Sequence, residues 1–174
     1  MTISIRALSV LVLLSAAAGV TATQAVDIAT LERSLTENGP QRTLATYFHC
    51  EHPEGYRLIG SGDPRAVALA VKLLDASDAC DTEMLMSSLA TAIQHNPEAV
   101  LPYLNTVLHG RAQHENFCIP FIAEETPKAD ALDVLDRSER ALKNVSRPDL
   151  QDARRTCLAE IDKYRRALER AASG

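Results

Sequence analysis

Tryptophan is absent from the 174-residue chain, and aromatic residues make up only 4% of it. A groove that stacks sugar rings is poorly supplied by such a composition. Also missing are a Gly-x-Ser-x-Gly elbow, a phosphate-cradling glycine loop and a dinucleotide fingerprint, the short motifs that place a nucleophile or cradle a phosphate. His49 stands beside Cys50, but adjacent side chains rarely face each other, and a nucleophile needs its base within hydrogen-bond reach. The chain is therefore not expected to be an enzyme, and no catalytic residue or cofactor is assigned. An excess of positive charge is missing too: 18 Lys and Arg stand against 23 Asp and Glu. Nucleic acid is accordingly not an expected partner.

After residue 25 no apolar run approaches the roughly 20 residues that span a bilayer. The N-terminus differs, with Arg6 as the only charged side chain before Asp27, a largely apolar stretch from Ala7 to Leu14, and small residues at Val20-Thr21-Ala22 and Thr23-Gln24-Ala25. This pattern predicts a secretory signal peptide over 1–25, with cleavage after Ala22 or Ala25 and no following cysteine to take a lipid. A single α-helical domain is expected over 26–174, soluble and either periplasmic or secreted, with no membrane attachment once the peptide is removed. Without Arg6 the remainder carries 17 basic and 23 acidic side chains, a formal charge of −6. The balance is uneven: Val26 to Glu125 holds 6 basic and 14 acidic residues, Thr126 to Gly174 holds 11 and 9. Solvated, mixed-sign faces on the last helices are the expected cause.

Four cysteines, Cys50, Cys80, Cys118 and Cys157, lie beyond the predicted peptide. An even count in an exported chain reads as disulfides, and four cysteines allow three connectivities. The preferred one joins Cys50 to Cys80 and Cys118 to Cys157, each closing a loop that would contribute about 3 to 4 kcal/mol in the chain-entropy model.

Secondary structure follows from helix-start signals. Asp63-Pro64, Asp81-Thr82-Glu83 and Asn96-Pro97 each precede an apolar run, pairing a short side-chain acceptor with residues suited to a first turn. These predict three core helices between Gly62 and Leu108, with Asp63 to Asp75 apolar on nearly every side and hence central, and with Pro102 kinking the third or delaying its regular start. Ile28, Leu31 and Leu35 predict a short helix closed by Asn38-Gly39, and Pro40 opens a second one through Cys50. Glu51 to Gly62 reads as a connecting loop because of Pro53, Gly55, Gly60 and Gly62. Phe117 to Ile122 forms an apolar patch expected to pack on the core. Thr126-Pro127 starts a helix to about Asn144, and Ser146, in a capping-box-like pair with Asp149, starts a last one to about Ala171. Cys157 falls on the buried stripe of that last helix, which suits a disulfide. The fold class is thus all-α: a disulfide-stapled, single-domain helical bundle or a short right-handed αα superhelix of HEAT-like type, with about six to seven helices. Asp63-Pro64-Arg65-Ala66-Val67 and Asn96-Pro97-Glu98-Ala99-Val100 align at an offset of 33, the spacing of a helical repeat, and Thr126-Pro127-Lys128-Ala129 looks like a degenerate third start.

The succession G-D-P, D-A-C-D-T-E, N-P-E-A-V-L-P and C-I-P-F-I, running from about Tyr56 to Ile122, resembles an uncharacterised family of small exported proteobacterial proteins. The resemblance implies an exported helical fold and no particular activity.

Two functional classes remain. One is action by contact with a protein partner, as an inhibitor, an immunity-type binder or an envelope adaptor. The alternative is zinc or copper binding by His49, His52, His109 and His114, with Cys50 and Cys118 near them in sequence. Helical spacing does not aim His49, Cys50 and His52 at one point, and a cysteine in a disulfide is no ligand, so no metal residue is assigned. The acidic turn of Asp75, Asp78, Asp81 and Glu83 would serve helix capping first, with Asp81 and Glu83 near the helix start and Asp78 and Asp75 left over.

Overall fold

A computed structural model describes residues 26–48, 54–104 and 115–171. Every regular element among them is a helix. In chain order they are α1 (Ile28–Tyr47), α2 (Glu54–Gly60), α3 (Pro64–Leu74), α4 (Ala79–Ile93), α5 (Pro97–Val100), α6 (Glu115–Cys118), α7 (Lys128–Lys143) and α8 (Gln151–Ala171). The all-α reading holds, and one hydrophobic cluster reaches from Leu31 in α1 to Ile161 in α8.

Two of the three helix starts read from the sequence, at Asp63 and Asn96, are capped as expected, and the third helix begins earlier, at Ala79 with Asp78 as its cap in place of Asp81; Asp27 adds a cap the sequence reading did not name. Asp27 accepts the Thr30 amide at 2.7 Å, Asp63 accepts those of Arg65 and Ala66, and Asn96 accepts that of Ala99 at 3.3 Å. Each satisfies amides that the first helical turn leaves without a partner. The first two predicted helices are one element with a break: Gly39 takes φ +78°, Pro40 follows, and Ser34 and Thr43 bond across the kink at 3.0 Å. Pro102 acts as expected, tightening the chain after α5 into a 3-10 turn at Leu101–Tyr103.

Three expectations need correction. The stretch read as a loop before Gly62 contains α2, which buries Tyr56 and Ile59 together with Gly55 and Gly60. Its glycines are sites of close packing rather than breaks: a Cβ on Gly55 would lie 2.7 Å from the Phe48 ring. The last helix has no Ser146 cap, because Pro148–Leu150 forms a 3-10 turn ahead of α8, with Arg147 at its cap position and bonded to Asp149. Third, the centre of the bundle is α4 rather than α3. Helix α4 packs against α2, α3, α5, α6 and α7, whereas α3 is covered by α1, α2, α4 and α5. Small residues at Ser88, Ala90 and Ala92, all buried, give neighbouring helices room to approach its axis between Leu85, Leu89 and Ile93.

The repeat-like starts are neighbours in space. Asn96 donates from Nδ2 to the Gly62 carbonyl at 3.0 Å, and Gly62 takes φ +79°. A Cβ at Gly62 would stand 2.9 Å from the Asn96 Cβ. Replacing Gly62 by Ala therefore combines an unfavourable backbone conformation with a clash and should cost about 1–3 kcal/mol. At Gly39 the added methyl meets open space and only the backbone penalty applies. Thermal denaturation of Gly62→Ala beside Gly39→Ala should show the larger loss for Gly62; equal losses would refute the steric contribution.

Candidate functional site

The outer end of α4 gathers the groups that the core does not consume. Asp78 caps this helix, accepting the Asp81 amide at 3.4 Å, and the next residues place Cys80, Met84 and Ser87 at i, i+4 and i+7 on one face. Cys80 is exposed, while Met84 and Ser87 are half-buried. The assignment of the acidic turn is thus reversed. Asp78 serves as the cap, and Asp81 turns its carboxylate to Tyr56, whose hydroxyl donates to it at 2.8 Å. Asp75 follows the last turn of α3, and Glu83 is exposed.

Tyr56 is the residue that sequence reasoning missed. The Phe48 carbonyl lies within reach of the same hydroxyl hydrogen and shares it with Asp81, and the Tyr56 ring meets Phe48 edge-on with centroids 5.3 Å apart. One phenol thereby joins the end of α1 to the start of α4. Burial raises its pKa above the ordinary tyrosine value, assisted by the Asp81 hydrogen bond and by the charges of Asp81 and Asp78, all of which oppose a phenolate. The available signal was the i, i+3, i+4 spacing of Tyr56, Ile59 and Gly60, hidden by flanking residues that suggested turns.

A second group approaches the same helix from the other side of the chain. Cys118 in α6 is bonded to Cys157 in α8 with Cα atoms 5.1 Å apart, both residues fully buried. Ile119 and Pro120 continue inward, so most of the 117–122 patch packs as expected. Phe121 does not. It is 79% exposed, the one large hydrophobic residue so placed among the described residues, while its backbone amide donates to Ser87 Oγ at 3.1 Å. Half-buried Met84 lies one turn from Ser87 on α4, and half-buried Ile122 follows Phe121. No Lys or Arg occurs from Leu73 to Gly110 or from Glu115 to Pro127, whereas Glu83, Glu124 and Glu125 are exposed.

Positive charge in α7 and α8 is largely engaged locally. Arg165 bonds Asp136 and Glu139 at 2.7 Å each, Lys143 meets Glu139 at 2.5 Å, and Arg137, Arg155 and Arg166 pair within their own helices. Exposed pairs of this kind contribute about 0–1 kcal/mol each. They make a solvated mixed-sign face, as the charge pattern predicted.

His49, His52, His109 and His114 lie outside the described residues, as does Cys50. Cys118 cannot serve them as a thiolate because it is in a disulfide. Among the described residues no group of three or more His, Cys, Asp or Glu is arranged to hold a metal ion. Cys80 is disulfide-bonded, and its expected pairing with Cys50 falls outside the described residues. No described helix is long and apolar enough to cross a membrane.

The Tyr56 geometry has measurable consequences. Tyr56→Phe leaves a buried carbonyl and a carboxylate without their donor and should destabilise the protein by about 1–3 kcal/mol in denaturant titration. The unfolded tyrosine loses its proton near pH 10, whereas the folded one holds it to higher pH. The Tyr56 contribution is therefore complete below about pH 10 and declines as pH rises through and beyond that value. Phenolate absorbance should show one tyrosine that ionises only together with unfolding, and Tyr56→Phe should lack that step.

No protein-family model matches the chain, and neither a curated protein nor a solved structure matches it. The likeness over Tyr56 to Ile122 rests on the sequence pattern alone.

Proposed function

We propose that this chain is an exported, disulfide-stapled helical protein that acts by contact with a protein partner, and that the contact centres on Phe121. Exposure of Phe121 carries the reading. Its ring stands in solvent while its backbone is held by Ser87, three residues after a buried disulfide. The backbone there is ordered before a partner arrives, so chiefly the ring's own rotamer freedom is lost when another surface buries it, and an aromatic side chain is the type of residue that dominates interface energetics. Half-buried Met84 and Ile122 extend the apolar area.

Charge defines the partner's chemistry. Exposed Glu83 precedes Met84 on α4, exposed Glu124 and Glu125 follow Ile122 along the chain, and the adjoining described segments carry no cation until Lys128. A segment presenting an apolar side chain amid Lys or Arg is complementary, and electrostatics would speed its encounter at low salt. An inhibitor, an immunity-type binder or an envelope adaptor each fits this mode of action. Export rests on the signal-peptide pattern of 1–25, with a periplasmic or extracellular destination; the buried disulfide agrees with an oxidising compartment.

A photo-reactive phenylalanine at position 121, and another at the exposed Ala129 as control, would test the contact in an extract of the exporting cell. Position 121 should give an adduct that position 129 does not, and its yield should fall with added salt. The partner identified from it, once purified, should bind Phe121→Ser about ten- to thirtyfold more weakly than the wild type. Folding stability of that variant should change by less than about 0.5 kcal/mol, because the ring is already in solvent. The same adduct from both positions, or unchanged affinity, would remove Phe121 from the interface.

A further inference from the structure

From Pro120 to Ala123 the chain runs on without helix, turn or bend. It is pinned at both ends. Cys118, two residues before it, is fixed to Cys157, and the Thr126 amide donates to the Ala123 carbonyl at 3.0 Å to close a turn behind it. Backbone polar groups in such a stretch need partners, and here only some have one. The Phe121 amide is held by Ser87 of α4, whereas neither the amide nor the carbonyl of Ile122 has a partner among the described residues.

In an extended chain the N–H and C=O of one residue point to the same side, and those of the next residue to the opposite side. With the Phe121 amide committed to α4, the Ile122 pair is directed away from it. This is the situation at the edge of a sheet, where one residue exchanges two hydrogen bonds with a residue of an added strand. A helix cannot use such a pair, because its own amides and carbonyls are bonded internally along its length. Side chains alternate across a strand, so a segment paired at Ile122 brings its adjacent residue against the exposed Phe121 ring, an arrangement that favours a β-branched or other apolar side chain. Exposed Glu124 and Glu125 follow, and no Lys or Arg occurs from Glu115 to Pro127, which favours basic residues in the same segment.

We propose that what binds at Phe121 is an extended peptide segment of alternating apolar and basic residues, added as a strand against the main chain of Ile122. This rests on the Phe121 contact and specifies the form of its partner. The Ile122 amide and carbonyl supply affinity that does not depend on sequence, while the Phe121 ring and the neighbouring carboxylates select the side chains.

A synthetic peptide of alternating Lys and Val around one central Leu is the probe, titrated at low salt into the isotopically labelled exported protein. Binding should shift the Phe121 ring resonances and slow hydrogen exchange of the Ile122 amide about tenfold or more. Two further peptides carry N-methyl groups on one or the other alternate set of amides. One set should weaken binding about tenfold and the other leave it unchanged, because only one edge of the added strand faces Ile122. Ring shifts with unchanged Ile122 exchange, or equal affinities for all three peptides, would overturn strand addition and leave the Phe121 contact in place. A response of Ile122 that persists in Phe121→Ser would separate the two sites and sink the proposal as well. Failure of the unmethylated peptide to bind would also overturn it, whereas the photo-adduct at position 121 decides the contact itself.

Discussion

Covering α4 is the constraint on which the rest of this fold depends. Leu85, Leu89 and Ile93 are wholly removed from solvent, and helices meet α4 on several sides. An apolar helix of this kind has no stability alone, since its favourable free energy comes from burial against neighbours. Its covering layers arrive from sequence positions far apart: α2 and α3 from before it, α6 and α7 from after it. The Cys118–Cys157 bond ties α6 to α8, which in turn packs on α7, so the later half of the cover is linked covalently to its own outer layer.

The same arrangement explains which side chains are left at the surface. A helix buried along most of its length still exposes its first turn, and in α4 that turn carries Cys80. Phe121 is left outside for a related reason. The chain dives inward through Phe117 to Pro120, and Ser87 then captures the next amide on the surface of α4, which leaves the Phe121 ring on the solvent side. An apolar residue held outside at a fixed place differs from one that is exposed by chance on a loose loop.

Charge is distributed by how the helices pair. In α7 and α8, cations and anions alternate along neighbouring ridges and meet one another, as Arg165 does between Asp136 and Glu139. Around the Cys80 turn, carboxylates instead serve the backbone and the phenol: Asp78 caps an amide and Asp81 receives Tyr56. The acidic character of the first two thirds of the chain is therefore partly structural, while Glu37, Glu54, Asp75, Glu83, Glu124 and Glu125 are among its carboxylates that face solvent.

Sequence alone determined the helical class and the starts of α3 and α5, because capping by Asp63 and Asn96 and the first-turn prolines Pro64 and Pro97 are local chemistry acting over three or four residues. It also carried the inward direction of Cys157, since a buried stripe is a matter of period. Tertiary structure decided the rest. Gly55 and Gly60 read as breaks until Phe48 and Thr91 fill the space beside them, so α2 exists only through packing. Asp81 reads as a cap residue until Tyr56, 25 positions earlier, arrives to claim its carboxylate. Phe121 reads as core because its neighbours are apolar, and only the Ser87 contact, 34 positions away, sets the ring outside. Contacts between residues so distant depend on how helices stack, which no local pattern encodes.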